Sequence, residues 1–531
     1  MAMALDRSIG ARVTHRILAV RGQIASHAAL RHKARAGAAG SLTHDVKRRG
    51  WRLHSDTKCA ILLCARGALR QTVGNIMAEA VIVHGRPSPS VQEVFATDLN
   101  PPPAVMLSES PATGLGTGDV SIERYFSSDW HNAEVRKVWQ KTWQMACRVE
   151  DIPDVGDHII YEIARDSLIV VRSAKDEIKA FVNACLHRGT TLRTEGGCVH
   201  RFRCPFHGFT WSLQGKLTDL PMDWDFPQVK REEFSLPEAR VGVWGGFVFI
   251  NFDPDCEALE SYLEILPEHF EAFRLEDRYK AVHVAKIMPC NWKLSMEAFI
   301  EAYHVSSAHP QTLSYYGDQN TQYDVWPGVR HINRMISVQG IASPALEDIT
   351  PDLTIKHMRR DVPFYAGAPI EVGPGETARG ELAKRAREKI SRSSGRDMSS
   401  LSDTESLDLI QYSVFPNIVP WGGQALPVCY RFRPYGDNPE MSVMEIMFLF
   451  AKQPDGSHPP AAKIHWLAVD QPWADAPELG SAARISDQDT DNLKRIQRGL
   501  RATKKPGVTL AVYQESRIRH FHHTLDAYMA R

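Results

Sequence analysis

Apolar residues recur at helical spacing at one place in the first third of the chain, and at strand spacing directly after it. In SIERYFSSDWHNAEVRKVWQKTWQMA the positions Val135, Val138, Trp139 and Trp143 follow a helical period, with Ser127, Ser128 or Asp129 available as an N-cap. The spacing predicts an amphipathic helix docked on a core within residues 119–150. From about Asp157 to Phe252 the apolar runs shorten to HIIYEI, SLIVVR and VWGGFVFINF, separated by Asp, Gly and Pro turns. Such runs predict a small all-β domain over 151–255. From about Glu257 helical and strand patterns alternate, which predicts a larger α+β domain over 256–531. A polar Gly/Ser/Arg-rich stretch at about 366–405 interrupts that domain and reads as a mobile insertion.

Charge separates the head from this body. The 531 residues carry 63 basic and 63 acidic side chains. Residues 1–76 hold fourteen Lys/Arg against Asp6, Asp45 and Asp56, or +11, so the rest carries −11. An Arg-rich, acid-poor head resembles a targeting peptide, and equally upstream sequence read through an early start, with Met77 the expected true start. The next forty residues, rich in Pro and Gly, read as a flexible lead-in, so that 1–118 is expected to be disordered. The neutral balance argues against phosphate-driven nucleic-acid binding. No run reaches the roughly 18 apolar residues of a membrane span. Nine scattered cysteines without a secretory signal fit a reducing cytoplasm rather than a disulfide framework.

The most specific chemistry lies in the β region, in CLHRGTTLRTEGGCVHRFRCPFHGFTW. Cys185 and His187 are separated by one residue, Cys204 and His207 by two, and sixteen residues lie between the pairs. Each pair can occupy its own tight loop and aim a sulfur and an imidazole at a common centre. Structural zinc sites group Cys with Cys and His with His, whereas these alternate. Alternation suits a two-iron cluster in which one iron takes both thiolates and the other both imidazoles. Gly189, Pro205 and Gly208 fit the loops, and Cys198 reads as incidental.

A second constellation follows in NWKLSMEAFIEAYHVSSAHP. Spacings of four and three put Glu297, Glu301 and His304 along one helical face, which is costly to bury without a partner or metal. SSA can end the helix, and Pro310 biases His309 to an extended conformation that can turn back onto the same ion. Two His plus one carboxylate with open positions is the facial triad of ferrous sites that activate oxygen. A di-iron carboxylate bundle would need a second Glu-x-x-His, and no other histidine has Glu three residues before it.

With CLHRG, CPFHGFTW and the second block in this order, the chain from about Val120 to its end resembles the catalytic α subunit of Rieske non-haem iron oxygenases, the ring-hydroxylating oxygenases. The resemblance implies a small all-β Rieske [2Fe-2S] domain ahead of a larger α+β catalytic domain of helix-grip, START-like type. It implies one [2Fe-2S] cluster held by Cys185, His187, Cys204 and His207, and one mononuclear Fe2+ held by His304, His309 and a late Asp ahead of a helix with a Q-x-G ending. DQDTDNLKRIQRGL offers Asp489 for that place, with Asp487 and Asp491 as competitors. Glu301 stands where many members carry Asp, and the resemblance makes it the bridge between its own His304 and His207 of an adjacent chain, in a homotrimer or α3β3 assembly. Glu297 reads as a supporting acid.

The implied activity is that of a terminal oxygenase. It would use O2 and electrons from a separate NAD(P)H-dependent reductase, directly or through a ferredoxin, to hydroxylate, dihydroxylate or demethylate a small organic substrate, with an aromatic one favoured. No nicotinamide or flavin motif stands in a strand–turn–helix context. Glutamate at 301 also fits branches that oxidise quaternary amines, for which Tyr303, Tyr315, Tyr316, Trp326 and Trp421 offer an aromatic box. A Rieske electron carrier without oxygenase activity is the remaining alternative, and leaves the later His/Asp set unused.

Overall fold

The computed structural model describes residues 89–531. The basic stretch 1–76 and the Met77 start lie outside the described residues. Within the expected lead-in, residues 89–118 pack against the body instead of being disordered. Ser90 and Glu93 form a capping box at the start of helix α1 (Val91–Phe95), and Val91, Val94 and Phe95 are buried in a cluster with Trp143, Phe247 and Phe249. Asp98 pairs with Arg379 at 3.0 Å, and Ser110 N donates to Asp324 Oδ1 at 2.7 Å. The prolines mark loop geometry here, and the i, i+3, i+4 apolar triplet outweighs them.

Strand β1 (Val120–Ser121) is followed by helix α2 (Ser128–Glu134), which Ser127 caps, and a π turn over Val135–Trp139. The helix predicted for 119–150 ends there. Thr142 Oγ1 donates to Val138 O at 2.9 Å and Gln144 Nε2 donates to Trp139 O, so side chains take the carbonyls that further helical turns would use. The chain continues as strand β2 (Gln144–Arg148), buried along its length.

β2 belongs to a seven-stranded sheet with β3 (Asp157–Ile163), β4 (Asp166–Ala174), β5 (Glu177–Val182), β6 (Gly197–Cys198), β10 (Glu238–Trp244) and β11 (Phe247–Asn251), in the order β2-β11-β10-β5-β4-β3-β6. A three-stranded sheet, β7 (Phe202–Arg203), β8 (Thr210–Trp211) and β9 (Leu217–Asp219), covers it. Ile169, Val171, Phe181, Phe202, Phe209 and Trp211 form the core between them.

Helices α3 (Leu259–Tyr262) and α4 (Leu266–Phe270) lead to β12 (Arg278–Met288), then α5 (Trp292–Glu297) and α6 (Val305–Ala308). An eight-stranded sheet follows from β12 with β13 (Gln322–Asp324), β14 (Ile332–Ser337), β15 (Leu409–Val414), β16 (Ile418–Gly422), β17 (Val428–Tyr435), β18 (Asn438–Ala451) and β19 (His465–Leu467). Its order is β13-β14-β15-β16-β17-β18-β12-β19, antiparallel except for β12 against β19. Between β14 and β15 run α7 (Pro351–Asp361), α8 (Ala378–Ser394) and α9 (Asp403–Leu407).

The stretch 366–405, expected to be a mobile insertion, contains α8 packed in a core of its own. Ala378, Leu382, Ala383, Ala386 and Ile390 are buried, and Gly395 ends the helix at φ 65°. Arg379 and Arg387 are buried on the same stripe against Asp408 (2.7 Å) and Asp403 (2.6 Å).

Residues of alternating parity along the central strands face opposite cores. Val419, Phe432, Met444 and Ile446 face α5, α10 (Ala482–Ala502) and α11 (Ser516–Met529) through Trp292, Leu493, Phe521 and Leu525. Ile410, Tyr412, Ile418 and Cys429 face α3, α4 and α1. The short strand β20 (Gly507–Val508), between α10 and α11, pairs with β1. The result is the expected order of a small β domain followed by a larger α+β domain.

Candidate functional site

The two Cys/His loops have matching backbones. Cys185 N donates to Thr190 O (2.8 Å) and Gly189 N to Cys185 O (2.8 Å); Cys204 N donates to Phe209 O (2.8 Å) and Gly208 N to Cys204 O (3.2 Å). Gly189 and Gly208 sit at φ 77° and 81°, a region that a side chain would strain. The second loop is the β7–β8 hairpin. The first follows β5 and is closed at its base by buried Asn183, whose Oδ1 accepts from Leu192 N (3.1 Å) and Arg193 N (3.0 Å).

These loops bring Cys185, His187, Cys204 and His207 together. The two thiols lie within hydrogen-bonding reach of each other, and the imidazole centroids are 4.6 Å apart. Burial raises the Cys204 thiol, but the Phe206 and His207 amides, the Cys185 thiol and the Thr190 hydroxyl leave it below its ordinary value. His187 stacks on Phe209 at 4.8 Å, and its Nδ1 is buried without a partner among the described residues. Inward amide donors on sulfur, paired thiols and an orphaned imidazole nitrogen fit a [2Fe-2S] cluster in this cradle. His207 is exposed, as is Phe206 beside it at 60%. Cys198 lies on β6, exposed and apart from the pairs.

The second constellation departs from the single helical face expected for Glu297, Glu301 and His304. Helix α5 ends at Glu297. The Ala302 N–H donates to Tyr323 Oη (3.0 Å) and the His304 N–H to Glu301 Oε2 (3.1 Å), so the amides that would continue the helix are diverted to side chains. Glu297 turns away and accepts from Tyr125 Oη (3.0 Å) and His522 Nε2 (2.8 Å). His309 ends α6 at φ −126°, ψ 46°, outside the extended region expected ahead of Pro310, with its ring beside that of His304 at 5.1 Å.

His304, His309 and Asp489 converge, with one ligand atom from each within 4.8 Å of the others. His304 Nε2 and His309 Nε2 are 3.2 Å apart; Asp489 Oδ1 lies 2.9 Å from the latter and 3.5 Å from the former. Donor atoms bound cis to one ion at roughly 2.1 Å stand about 3 Å apart, so this spacing fits a first-row metal.

Both ring tautomers are held from behind. Glu301 Oε1 accepts from His304 Nδ1–H at 2.5 Å, and Gln488 Oε1 accepts from His309 Nδ1–H at 2.9 Å, leaving each Nε2 lone pair turned to the centre. Burial lowers the His304 imidazole, yet the Asp489 and Glu301 carboxylates leave it pushed up to about 10: the site attracts positive charge.

Asp489 does not precede its helix, as the resemblance implied, but lies inside α10, buried. Asp487 instead accepts from Trp473 N (2.7 Å) and Ala474 N (3.3 Å), and Asp491 is exposed. Gln497, two turns on, accepts from Asn291 N at 2.8 Å, where Asn291 caps α5. That bond ties the helix bearing Asp489 to the segment bearing the histidines.

Three supporting residues escaped the sequence reading: Asn183, Gln488 and Arg517. Gln488 had a local signal, being adjacent to Asp489, but an amide reads as helix surface. Of the aromatic residues offered for a box, Trp421 packs edge-on against Tyr430 at 5.6 Å, and burial, with the Asp318 and Glu301 carboxylates, raises the Tyr316 phenol against the lowering effect of a hydrogen bond with Ser337. Tyr303 is 60% exposed, Tyr315 bonds Asp361 (3.4 Å), and Trp326 lies under Arg334.

Fold and sites define a two-centre iron protein, with a cluster domain followed by a mononuclear metal domain. A Rieske [2Fe-2S] domain model matches residues 142–230, and the ring-hydroxylating alpha subunit catalytic domain matches 268–531. The chain belongs to the alpha subunits of the Rieske ring-hydroxylating oxygenases, whose cofactors are a [2Fe-2S] cluster and a mononuclear iron.

Among curated relatives, the glycine betaine monooxygenase oxygenase subunit of Pseudomonas aeruginosa (strain UCBPP-PA14) is 30% identical over 34% of this chain and 42% of its own length. The biphenyl 2,3-dioxygenase subunit alpha of Rhodococcus jostii (strain RHA1) is 29% identical over 36% and 43%. The alignments thus span less than half of either relative. Among solved structures, the quaternary ammonium Rieske monooxygenase CntA with L-carnitine superposes with TM-score 0.54 at 17% identity, over 78% of this chain and 97% of that one. Naphthalene 1,2-dioxygenase with indole gives 0.52 at 18%, over 79% and 94%. Among the described residues no helix is long and apolar enough to cross a membrane.

Proposed function

We propose that this chain is the terminal oxygenase component of a multicomponent cytoplasmic system. It would use O2 and electrons from a separate NAD(P)H-dependent reductase, directly or through a ferredoxin, to hydroxylate, dihydroxylate or oxidatively demethylate a small organic substrate. The observation that carries this reading is the presence of two unlike donor sets in one chain. Cys185, Cys204, His187 and His207 would hold the cluster, and His304, His309 and Asp489 the ferrous ion. When bound, these groups supply one-electron transfer and oxygen activation, which no side chain here performs.

The chain's own work is positioning. Glu301 and Gln488 keep both imidazoles in the tautomer that offers Nε2, and Gln497 fixes where along α10 Asp489 presents its carboxylate. The exposed edge at His207 and Phe206 suits contact with a further subunit. In a closed ring, a homotrimer or α3β3, Glu301 would accept from its own His304 and from His207 of the partner subunit. Inter-subunit electron transfer is described for the similar quaternary ammonium monooxygenase.

A cluster of Phe299, Tyr430, Phe432 and Trp421, with neighbouring centroids 5.2–6.2 Å apart, supports an aromatic body. The same cluster and the glutamate at 301 support a second reading, a monooxygenase of quaternary amines. The test is turnover with a reductase and NADH, scoring product against peroxide over a panel of arenes and quaternary amines. Product formed with matching O2 uptake is expected. A cluster that cycles while no substrate draws O2 would make the protein an electron carrier.

A further inference from the structure

In the aromatic cluster that leads to the candidate iron site, two hydrogen-bond donors have no acceptor among the described residues. Trp421 on β16 is 8% exposed, and its indole Nε1–H is buried with no partner among the described residues. Its cross-strand partner on β15 is Gln411, 2% exposed. Arg517 Nη1 donates to Gln411 Oε1 at 2.7 Å, and because a guanidinium only donates, the Gln411 amide nitrogen must point elsewhere. That nitrogen makes no hydrogen bond to any described residue. Directly paired residues carry Cβ atoms about 4.5–5.5 Å apart on one face of a sheet, so the two side chains start as neighbours on that face.

Their surroundings reach the metal set. The Trp421 ring meets Tyr430, Tyr430 meets Phe299 at 5.2 Å, and Phe299 stands two residues before Glu301. Asp489 is close enough to add to burial in raising the Tyr430 phenol. Behind Gln411 lies a buried cation. Arg517 donates to Asn333 Oδ1 (2.6 Å), Ile300 O (3.1 Å) and Ser413 Oγ (2.6 Å), and no carboxylate among the described residues pairs with it. Burial lowers its guanidinium to about 9, which leaves it charged at neutral pH.

Two donors on paired side chains, backed by a cation without a carboxylate partner among the described residues, call for an anionic acceptor. We propose that Trp421 and Gln411 form a carboxylate-binding subsite. The substrate is then a small acid whose carboxylate accepts from Trp421 Nε1–H and Gln411 Nε2–H while its body lies along Tyr430 and Phe299. The proposal rests on the oxygenase reading for the identity of the ligand as substrate. It gives aromatic acids and betaines a common handle. A substrate lacking an acceptor leaves both donors bare, the situation that hydrogen-bonding sites reject most strongly.

The test uses the iron-loaded full chain and two matched probe pairs, benzoate with toluene and glycine betaine with choline, with dissociation constants from calorimetry. At least one acid should bind about tenfold or more tightly than its acid-free partner. Trp421→Phe should weaken that acid about tenfold and leave the partner within about twofold. Gln411→Glu pairs with Arg517 and so keeps the fold, but should repel the acid and relatively favour choline. Millimolar acid that never saturates the protein, or acids no tighter than their partners, would overturn the subsite. So would equal acid binding by both variants, which would place the acid on iron. Selective acid binding without O2-dependent oxidation would defeat the oxygenase reading and leave the subsite standing. Oxidation of toluene or choline with indifference to acids would do the reverse.

Discussion

Replacing Gln488 by leucine removes the one acceptor that holds the His309 ring from behind while keeping volume and helix propensity at that place in α10. His309 is 3% exposed, so its Nδ1–H would be left buried without a partner and the ring would lose its preference for presenting Nε2. Gln311 Nε2, which donates to the same oxygen at 2.9 Å, would lose its partner too. Removing such an outer partner typically costs about 10–100-fold in metal affinity, or about 1.4–2.8 kcal/mol. The assay is competition with a ferrous chelator on protein stripped of mononuclear iron but keeping the cluster absorbance, with a thermal melt to confirm the fold. Gln488→Glu keeps the acceptor and should stay within about threefold of wild type. Unchanged iron affinity in the leucine variant would show that His309 is held by other means.

Glu301→Gln should load all three irons and reduce its cluster, yet lose product formation by about 10–100-fold, because one acceptor at His304 and the carboxylate of the proposed inter-subunit bridge are gone; near wild-type turnover would refute the bridge. Glu445 is buried against Arg431 (2.5 Å), Arg433 (2.9 Å) and His283 (2.8 Å), which outweigh burial and hold its carboxyl well below the ordinary range. A depressed carboxylate contributes stability that is present above its unfolded value near 4.5 and is lost as pH falls through the lower folded value. Glu445→Gln should therefore cost about 3–5 kcal/mol in urea unfolding at pH 7 and lose the steep acid limb; a cost under about 1 kcal/mol would sink that assignment.

What was legible in the chain follows from how local each signal is. Both Cys/His pairs lie on short loops whose spacing alone dictates their geometry, so Cys185, His187, Cys204 and His207 could be read directly. His304 and His309 were legible for the same reason, although their helix was not: its break depends on Tyr323 Oη, a side chain nineteen residues past His304 in sequence. Asp489 was reachable only by resemblance, since Asp487 and Asp491 have the same composition and only the packing of α10 distinguishes them. The roles of Arg379, Arg387 and Arg517 were not legible because an arginine's burial depends on distant partners such as Asp408 and Gln411. Residues 89–118 were read as disordered because prolines are conspicuous, while one short apolar triplet is not.

The central claim, two iron centres in one chain, is tested most directly by metal content with magnetic resonance on the purified protein and two variants. The account predicts three irons per chain and, on reduction, the low-field signal of mixed His/Cys ligation. Cys185→Ser should lose that signal and two irons, and His304→Ala should keep the signal and lose one. Zinc in place of iron, or two irons per chain with His304→Ala unchanged, would contradict it.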